Sequence, residues 1–157
     1  MKKIIGIERT KFNLIELYYK DIIREIQNFP STDIPKHFGP NVYCQAKRIK
    51  FTFESDIPDL KCIEYIDKKT DKIVAYFYDW ESSAGAIMKF HNHYHHDEAQ
   101  EDVKEFDPFH LHIGQDRFDK LAKASKKDEE FMCLQKVLDF IKLHLYAKIR
   151  EKHLNPR

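Results

Sequence analysis

The chain has 157 residues, of which 42% are hydrophobic and 34% charged, and its net charge at pH 7 is +1. The length predicts a single domain over residues 1–157, the composition excludes intrinsic disorder, and the charge excludes a global basic field for binding nucleic acid. Three widely spaced cysteines and no run of about 18 apolar residues favour a cytoplasmic protein with no membrane partner.

The first predicted elements are a helix and a loop. Thr10–Gln27 repeats apolar residues at helical spacing, and Thr10 is a candidate N-cap for this helix. Asn28–Pro40 contains three prolines and one glycine. Because proline and glycine interrupt regular structure, we expect this segment to be a loop.

Alternating apolar and polar residues predict antiparallel strands in the middle of the chain. Short turn sequences separate the alternating segments, which is typical of a β-meander. The predicted strands are Val42–Glu54, Leu60–Ile66, Ile73–Tyr78 and Ala86–His91, with a fifth short strand at Phe109–Ile113.

The remaining segments predict one exposed loop and a C-terminal helix. Asp97–Asp107 is acidic and polar, Asp116–Ala122 predicts a helical turn, and Lys123–Lys127 predicts a basic link. Asp128–Lys152 carries an apolar stripe at helical spacing. We therefore predict an α+β fold, an antiparallel β-meander of about four to five strands with an N-terminal and a C-terminal helix packed on one face.

The strongest functional feature is a histidine-rich segment over residues 89–114. Six of the nine histidines lie between His91 and His112, in two clusters. Histidine changes charge near cell pH and is the commonest metal ligand. Solvation gives no reason to concentrate it, so this segment is the best candidate for a site.

Strand geometry predicts that the two clusters share a surface. Side chains of a strand alternate between its two faces, so Lys89, His91 and His93 lie on one face, and His95 joins them if the extended run lasts that far. His110 and His112 likewise share one face of their own strand. Several imidazoles converge if these two segments pair.

Two chemistries fit such a convergence, and the sequence leaves both open. Neutral imidazoles with a carboxylate hold zinc, manganese or iron, and the candidate ligands are His91, His95, His110 and His112. Alternatively, two histidines act as general base and general acid in metal-free RNA cleavage. A cation such as Lys89 or Arg117 would then stabilise the charge of the phosphorane.

A third hypothesis is that the protein is a binding module rather than an enzyme. The histidines would form a pH-sensitive surface for a protein or a nucleic acid. Trp80 lies in an aromatic strand and is a candidate for stacking on nucleotide bases. Such a module would cleave nothing in purified form.

The stretch from residue 76 to residue 116 resembles the TumE-type toxin family of prokaryotic toxin–antitoxin systems. That family carries a Tyr-x-Tyr-x-Trp strand, a short turn, a strand that ends in Asp-Asn-Ala-Pro-His-His, and a Pro-His-His-x-His element. The matching segments here are 76–81, 83–85, 89–96 and 109–114. This chain departs from the family at His91, which replaces the aspartate, and at His93-Tyr94, which replaces Ala-Pro.

The resemblance implies a ribonuclease toxin that a helix-turn-helix-type antitoxin neutralises. Carried onto this sequence, it makes His95 and His110 the expected acid–base pair. Asn92, His96 and His112 would orient that pair or bind phosphate. Lys89, His91, Arg117 and Trp80 complete the expected substrate-binding set.

Overall fold

The computed structural model describes residues 6–30, 33–52, 57–82, 85–94, 104–113, 125–128 and 130–154. Within these residues the elements in chain order are β1 (Ile7–Glu8), α1 (Phe12–Tyr18), β2 (Ile23–Asn28), β3 (Val42–Phe51), β4 (Asp59–Asp67), β5 (Lys72–Ser82), β6 (Gly85–Asn92), β7 (Phe109–Ile113), β8 (Ser125–Lys127) and α2 (Leu134–Leu154). A 3-10 turn occupies Lys36–Phe38.

The strands form one antiparallel sheet of eight strands. Strands β2 to β8 follow one another in sequence order, and β1 pairs separately with β5. The α+β class and the antiparallel sheet are therefore confirmed, but the sheet is larger than the predicted four to five strands. Short connections join β3 to β4, β4 to β5 and β5 to β6, which is typical of a meander, whereas longer segments join the other neighbouring strands.

One additional strand comes from the segment predicted to be helical. The helix prediction for Thr10–Gln27 is wrong beyond Tyr18, because Ile23–Asn28 is strand β2 and pairs with β3. Its isoleucines are β-branched and suit a half-buried strand, and pairing with a long neighbour outweighs the helical spacing. Thr10 is also not the N-cap, since Lys11 holds that position without a side-chain hydrogen bond.

Strand β1 (Ile7–Glu8) is a second additional strand, and the third lies in the segment predicted to be a basic link. Ser125–Lys127 pairs with β7 as strand β8, which places Lys127 opposite His110. Lysines are common on edge strands, where their charge discourages further strand pairing. The predicted helical turn at Asp116–Ala122 lies outside the described residues, as does most of the predicted loop at Asp97–Asp107.

Both helices pack on the same face of the sheet, which we call the core face. Alternate strand residues such as Ile49, Leu60, Tyr78 and Phe90 join one buried cluster with residues of α1 and α2. The contribution of α2 is Leu134, Val137, Leu138, Ile141 and Leu145, which recur at helical spacing. Among the described residues, neither helix is long and apolar enough to cross a membrane.

A buried carboxylate lies within the core face. Glu64 of β4 accepts hydrogen bonds from the Tyr78 hydroxyl at 2.6 Å, the Gln45 amide at 3.3 Å and the Thr10 backbone N–H at 3.0 Å. The Thr10 hydroxyl donates to the same carboxylate. Burial raises the pKa of Glu64, and the hydrogen bonds from its four donors partly offset that rise.

Candidate functional site

The opposite face of the sheet carries the histidines, and we call it the histidine face. In the pairing of β6 with β7, His91 lies opposite His110 and Lys89 lies opposite His112. Residues directly opposite each other in antiparallel strands have side chains on the same face. The sheet register therefore brings side chains from both histidine clusters to one surface.

The imidazole rings of this surface lie close together. The ring centroid of His112 lies 4.9 Å from that of His91 and 5.1 Å from that of His110. His93 follows β6, and its ring lies 4.9 Å from that of His110. One ring nitrogen from each of His91, His93 and His110 lies within 4.8 Å of the other two, and we call these three residues the histidine triad.

Hydrogen bonds indicate which ring nitrogen carries the proton in the neutral forms of two triad residues. Nε2 of His91 lies 2.8 Å from Oδ1 of Asp79, and Nδ1 of His110 lies 3.1 Å from the Pro108 carbonyl oxygen. Both partners accept hydrogen bonds, so we assign a proton to each of these nitrogens and a lone pair to the other nitrogen of each ring. Histidines that ligate metals usually have such an outer partner.

Neighbouring groups hold the rings in place. Phe77 of β5 stacks on His93 at 4.7 Å and meets the edge of His91 at 4.8 Å between ring centroids. The backbone N–H of His93 donates to the Pro108 carbonyl oxygen at 3.0 Å, the same oxygen that His110 uses. His110 itself is only 2% exposed. The triad is thus partly buried, and neighbouring groups fix the orientations of its rings.

Asp79 reaches His91 because of the sheet register. It lies opposite Lys89 on β6, so His91 is its diagonal neighbour two residues further along. Diagonal pairs of this kind lie close enough for longer side chains to interact. Sequence reasoning missed Asp79, because its contact with His91 depends on how β5 and β6 are aligned.

A row of charged residues, most of them basic, crosses the same face. Register pairs connect Arg48, Lys61, Asp79, Lys89 and His112 across five neighbouring strands. Strands are about 4.8 Å apart, so this row extends roughly 19 Å. Lys127 lies opposite His110 at the edge. We call Arg48, Lys61, Lys89 and Lys127 the cationic band.

One acidic residue and one aromatic ring contact the basic residues at the β3 and β4 end of the band. Asp59 pairs with Arg48 at 3.5 Å and with Lys50 at 3.9 Å. The Arg48 guanidinium and the Lys61 ammonium lie 5.1 Å and 4.8 Å from the centroid of the Phe29 ring. Cations near an aromatic face in this way are held in place while keeping their charge.

The structure brings some predicted site residues together and separates others. His91, His110, His112 and Lys89 share the histidine face. Asn92 and Trp80 lie on the core face, where both are buried and the indole N–H of Trp80 donates to the Pro58 carbonyl oxygen at 3.0 Å. The predictions for His95, His96 and Arg117 lie outside the described residues.

His93 is the triad member that the predicted ligand set omitted. Strand alternation had already placed His93 on the face of His91, so its pattern was visible in the sequence. The sequence did not show that the ring of His93 lies 4.9 Å from that of His110. The hydrogen bond from the backbone N–H of His93 to Pro108 aligns the residues that follow β6 with those that precede β7.

Comparison with known proteins finds no match to this chain among family models, curated proteins or solved structures. The resemblance to TumE-type toxins therefore stays a prediction that rests on the sequence motifs alone.

Proposed function

We propose that this protein is a metal-dependent hydrolase in which the histidine triad binds one divalent transition-metal ion, with zinc as the expected metal. The observation that carries this proposal is the approach of three histidine nitrogens to within 4.8 Å of one another. Three histidine ligands leave a coordination position for water, and bound zinc lowers the pKa of that water to about 7. The residues of the triad would bind the ion, and Asp79 and the Pro108 carbonyl would orient them.

The spacing of the nitrogens favours metal binding over an acid–base pair made from the triad. Two nitrogens on one zinc ion, each about 2.0–2.1 Å from the metal, lie roughly 3.3 Å apart. An acid and a base that flank a phosphate each add a hydrogen bond of about 2.8 Å, so their nitrogens should lie roughly 6–8 Å apart. The triad nitrogens lie within 4.8 Å of one another, which is below the acid–base range, and small side-chain rotations would bring them to the metal-binding spacing.

We further propose that the substrate is RNA. The cationic band and the triad share one face, and phosphate groups are bound chiefly by lysine and arginine. Lys89 lies beside His112 in the register and would neutralise a phosphate near the metal. The ring of His112 lies 4.9 Å from that of His91, at a position from which it would donate a proton to the leaving oxygen. The resemblance to ribonuclease toxins agrees with this substrate.

A metal-free ribonuclease is the second candidate, and the Asp79–His91 pair favours it. A carboxylate at 2.8 Å orients an imidazole, which suits a general base. The expected acid–base pair from the sequence was His95 with His110. In this version, His91 or His95 would accept the proton and His110 would donate one, and no ion would be needed.

The expectation of a partner protein depends only on the resemblance to TumE-type toxins. If this chain is a toxin, we expect a small helix-turn-helix antitoxin to be encoded next to it and to copurify with it. Coexpression with the neighbouring reading frame and a growth assay would test this. Growth inhibition that the neighbour's product does not relieve would contradict the toxin–antitoxin assignment.

The decisive experiment combines metal analysis with RNA cleavage. We expect one metal ion per chain in protein purified without chelator, and cleavage that a chelator removes and zinc restores. His93→Ala should lower cleavage by more than about 100-fold, because the loss of even an outer partner of a ligand costs 10–100-fold. His37→Ala, which replaces an exposed histidine of the 3-10 turn, is the matched control and should retain activity.

The alternative outcomes separate the hypotheses. Chelator-resistant cleavage with full activity in His93→Ala would contradict the metal proposal and support the acid–base ribonuclease. Bound metal without RNA cleavage would retain the metal centre and exclude RNA as its substrate. The absence of both metal binding and RNA cleavage would support the hypothesis of a binding module.

A further inference from the structure

An aromatic ring holds two cations at the end of the cationic band farthest from the triad. Phe29 follows β2, and its backbone N–H donates to the Ala46 carbonyl oxygen of β3 at 3.2 Å. The centroid of its ring lies 5.1 Å from the Arg48 guanidinium and 4.8 Å from the Lys61 ammonium. Arg48 and Lys61 lie directly opposite each other on β3 and β4. We call Phe29, Arg48 and Lys61 the distal clamp.

The distal clamp is arranged to bind an anion. A cation near an aromatic ring is held in position without losing its charge. Two such cations side by side offer N–H donors to one phosphate group, for which arginine and lysine are the usual ligands. The Arg48 side chain is 36% exposed and Lys61 is half-buried, so a ligand can reach both from solvent. The clamp is therefore a candidate phosphate site on a different strand pair from Lys89.

The sheet register connects the distal clamp to the triad. Arg48 and Lys61 share one row with Asp79, Lys89 and His112. At about 4.8 Å per strand, Lys61 on β4 and Lys89 on β6 lie roughly 10 Å apart. The whole row extends roughly 19 Å, which suits about four nucleotides, the smallest site of the folds that bind single-stranded nucleic acid.

Acidic residues border the band on the side away from the triad. Glu25 lies opposite Lys50, and Asp59 lies opposite Glu81, in the neighbouring row of the sheet. Carboxylates repel a polyanion, and Asp59 also tethers Arg48 at 3.5 Å. The triad lies on the other side of the band. These charges therefore confine a bound nucleic acid to the band, next to the histidines.

We infer that the distal clamp binds a phosphate of single-stranded RNA, a few nucleotides away from the phosphodiester that the triad would cleave. Proteins that read duplex RNA contact two successive minor grooves over about 16 base pairs, a far longer surface than the band. The triad is partly buried, so a flexible strand approaches it more closely than a rigid duplex does. The inference rests on the proposed function in taking the triad as the place of cleavage.

The test of the inference is fluorescence anisotropy of the purified full chain with end-labelled RNA, in chelator so that metal-dependent cleavage does not occur. The RNAs are single strands of two, four and twelve nucleotides and a duplex of the longest one. A dinucleotide has one phosphodiester and cannot reach both the clamp and Lys89. We therefore expect at least tenfold tighter binding of four nucleotides than of two, and of the long single strand than of its duplex. Equal affinities in either comparison would overturn the inference.

Lys61→Gln tests the charge of the clamp. Each phosphate contact with a single strand contributes about 0.7 to the slope of log affinity against log salt concentration. We expect this variant to lower that slope by about 0.7 and to weaken binding of the longest strand by at least threefold. Lys69→Gln is the matched control, because Lys69 is exposed at the turn between β4 and β5. Equal losses in the two variants would reflect net charge alone and would overturn the site.

Phe29→Leu separates the position of the cations from their charge. Leucine keeps apolar packing but lacks the aromatic face beside Arg48 and Lys61. We expect affinity for the longest strand to fall about two- to fivefold with an unchanged salt slope, because both cations remain. Phe38→Leu is the matched control, since Phe38 packs with Phe29 against the same small apolar cluster and its ring contacts Tyr65. Wild-type affinity in Phe29→Leu would overturn the clamp.

Two further outcomes separate this inference from the proposed function. Clamp-dependent binding of single-stranded RNA without any cleavage would retain the clamp and contradict the hydrolase. Cleavage of the two-nucleotide and twelve-nucleotide RNAs with equal efficiency would retain the hydrolase and overturn the clamp.

Discussion

The two faces of the sheet both carry polar side chains close to the interior, but they differ in how those groups are satisfied. On the core face, the oxygens of Glu64 receive donors from Thr10, Gln45 and Tyr78. On the histidine face, nitrogens of His91, His93 and His110 approach one another instead. A network whose acceptors all meet donors stabilises a fold, whereas converging histidine side chains form a candidate site for a ligand.

The faces also differ in what covers them. The core face is covered by apolar side chains of α1 and α2, such as Ile15 and Leu138. The histidine face carries charged rows, the imidazoles beside Phe77, and a second, smaller buried apolar cluster that consists of Val42, Ala46, Ile63, Tyr65 and Ala75. We therefore expect substitutions in either apolar cluster to change stability, and substitutions of the triad and its polar neighbours to change ligand affinity and catalysis.

The largest expected effect comes from opening a cavity in the core face. Leu138 of α2 is fully buried, and Leu138→Ala should lower the free energy of unfolding by about 2–5 kcal/mol, because it removes apolar contacts and leaves a void. Urea denaturation measures this loss. Zinc affinity below the unfolding midpoint should equal that of the wild type.

Leu143→Ala on the same helix is the control for this variant. Leu143 is 67% exposed, so its removal should change stability by no more than about 0.5 kcal/mol. If Leu138→Ala weakened zinc binding at a concentration of denaturant where the protein remains folded, the separation of the two faces would be incorrect. Equal losses in both leucine variants would contradict the placement of α2.

A smaller effect is expected from the outer partner of the triad. Asp79→Asn removes the carboxylate that orients His91, and the loss of such a partner lowers metal affinity by about 10–100-fold. Competition with a chromophoric chelator measures the affinity. Asp59→Asn is the control, since Asp59 lies on the same face but pairs with Arg48 and Lys50. Unchanged zinc affinity in Asp79→Asn would show that Asp79 does not orient a metal ligand.

The sequence predicted the central strands well because one physical pattern dominates there. Strands β3 to β7 alternate between the apolar core and a more polar face, and their predicted positions agree with the structure to within a few residues. Strand β2 could not be predicted in the same way. The spacing of Ile22, Ile23 and Ile26 also fits a helix, and only pairing with β3 selects the strand.

The candidate site was partly predictable for the same reason. Alternation placed Lys89, His91 and His93 on one face, but it could not show which strand supplies the neighbouring carboxylate. Asn92 shows the limit of motif similarity, because it lies between His91 and His93 in the sequence yet its side chain is on the core face. Similarity to a motif ignores the alternation that separates adjacent residues of a strand.

The smallest expected effect concerns the pH dependence of stability. Burial raises the pKa of Glu64 above its ordinary value of 4.5, so the folded state holds a proton that the unfolded state has already lost. Stability from this group is complete below pH 4.5 and falls as the pH rises through the folded pKa. Glu64→Gln does not titrate and should gain stability relative to the wild type over that interval, as urea denaturation at pH 4 to 8 would measure.

Asp67→Asn sharpens this prediction because the sign reverses. Backbone N–H groups of Thr70 and Lys69 lower the pKa of Asp67, so its contribution is present above the ordinary value of 3.8 and is lost as the pH falls through the folded pKa. Glu64→Gln should therefore diverge from the wild type above pH 4.5 and Asp67→Asn below pH 3.8, so the measurement on Asp67→Asn extends below pH 4. A Glu64→Gln curve parallel to the wild type from pH 4 to 8 would mean that Glu64 has the same pKa in both states.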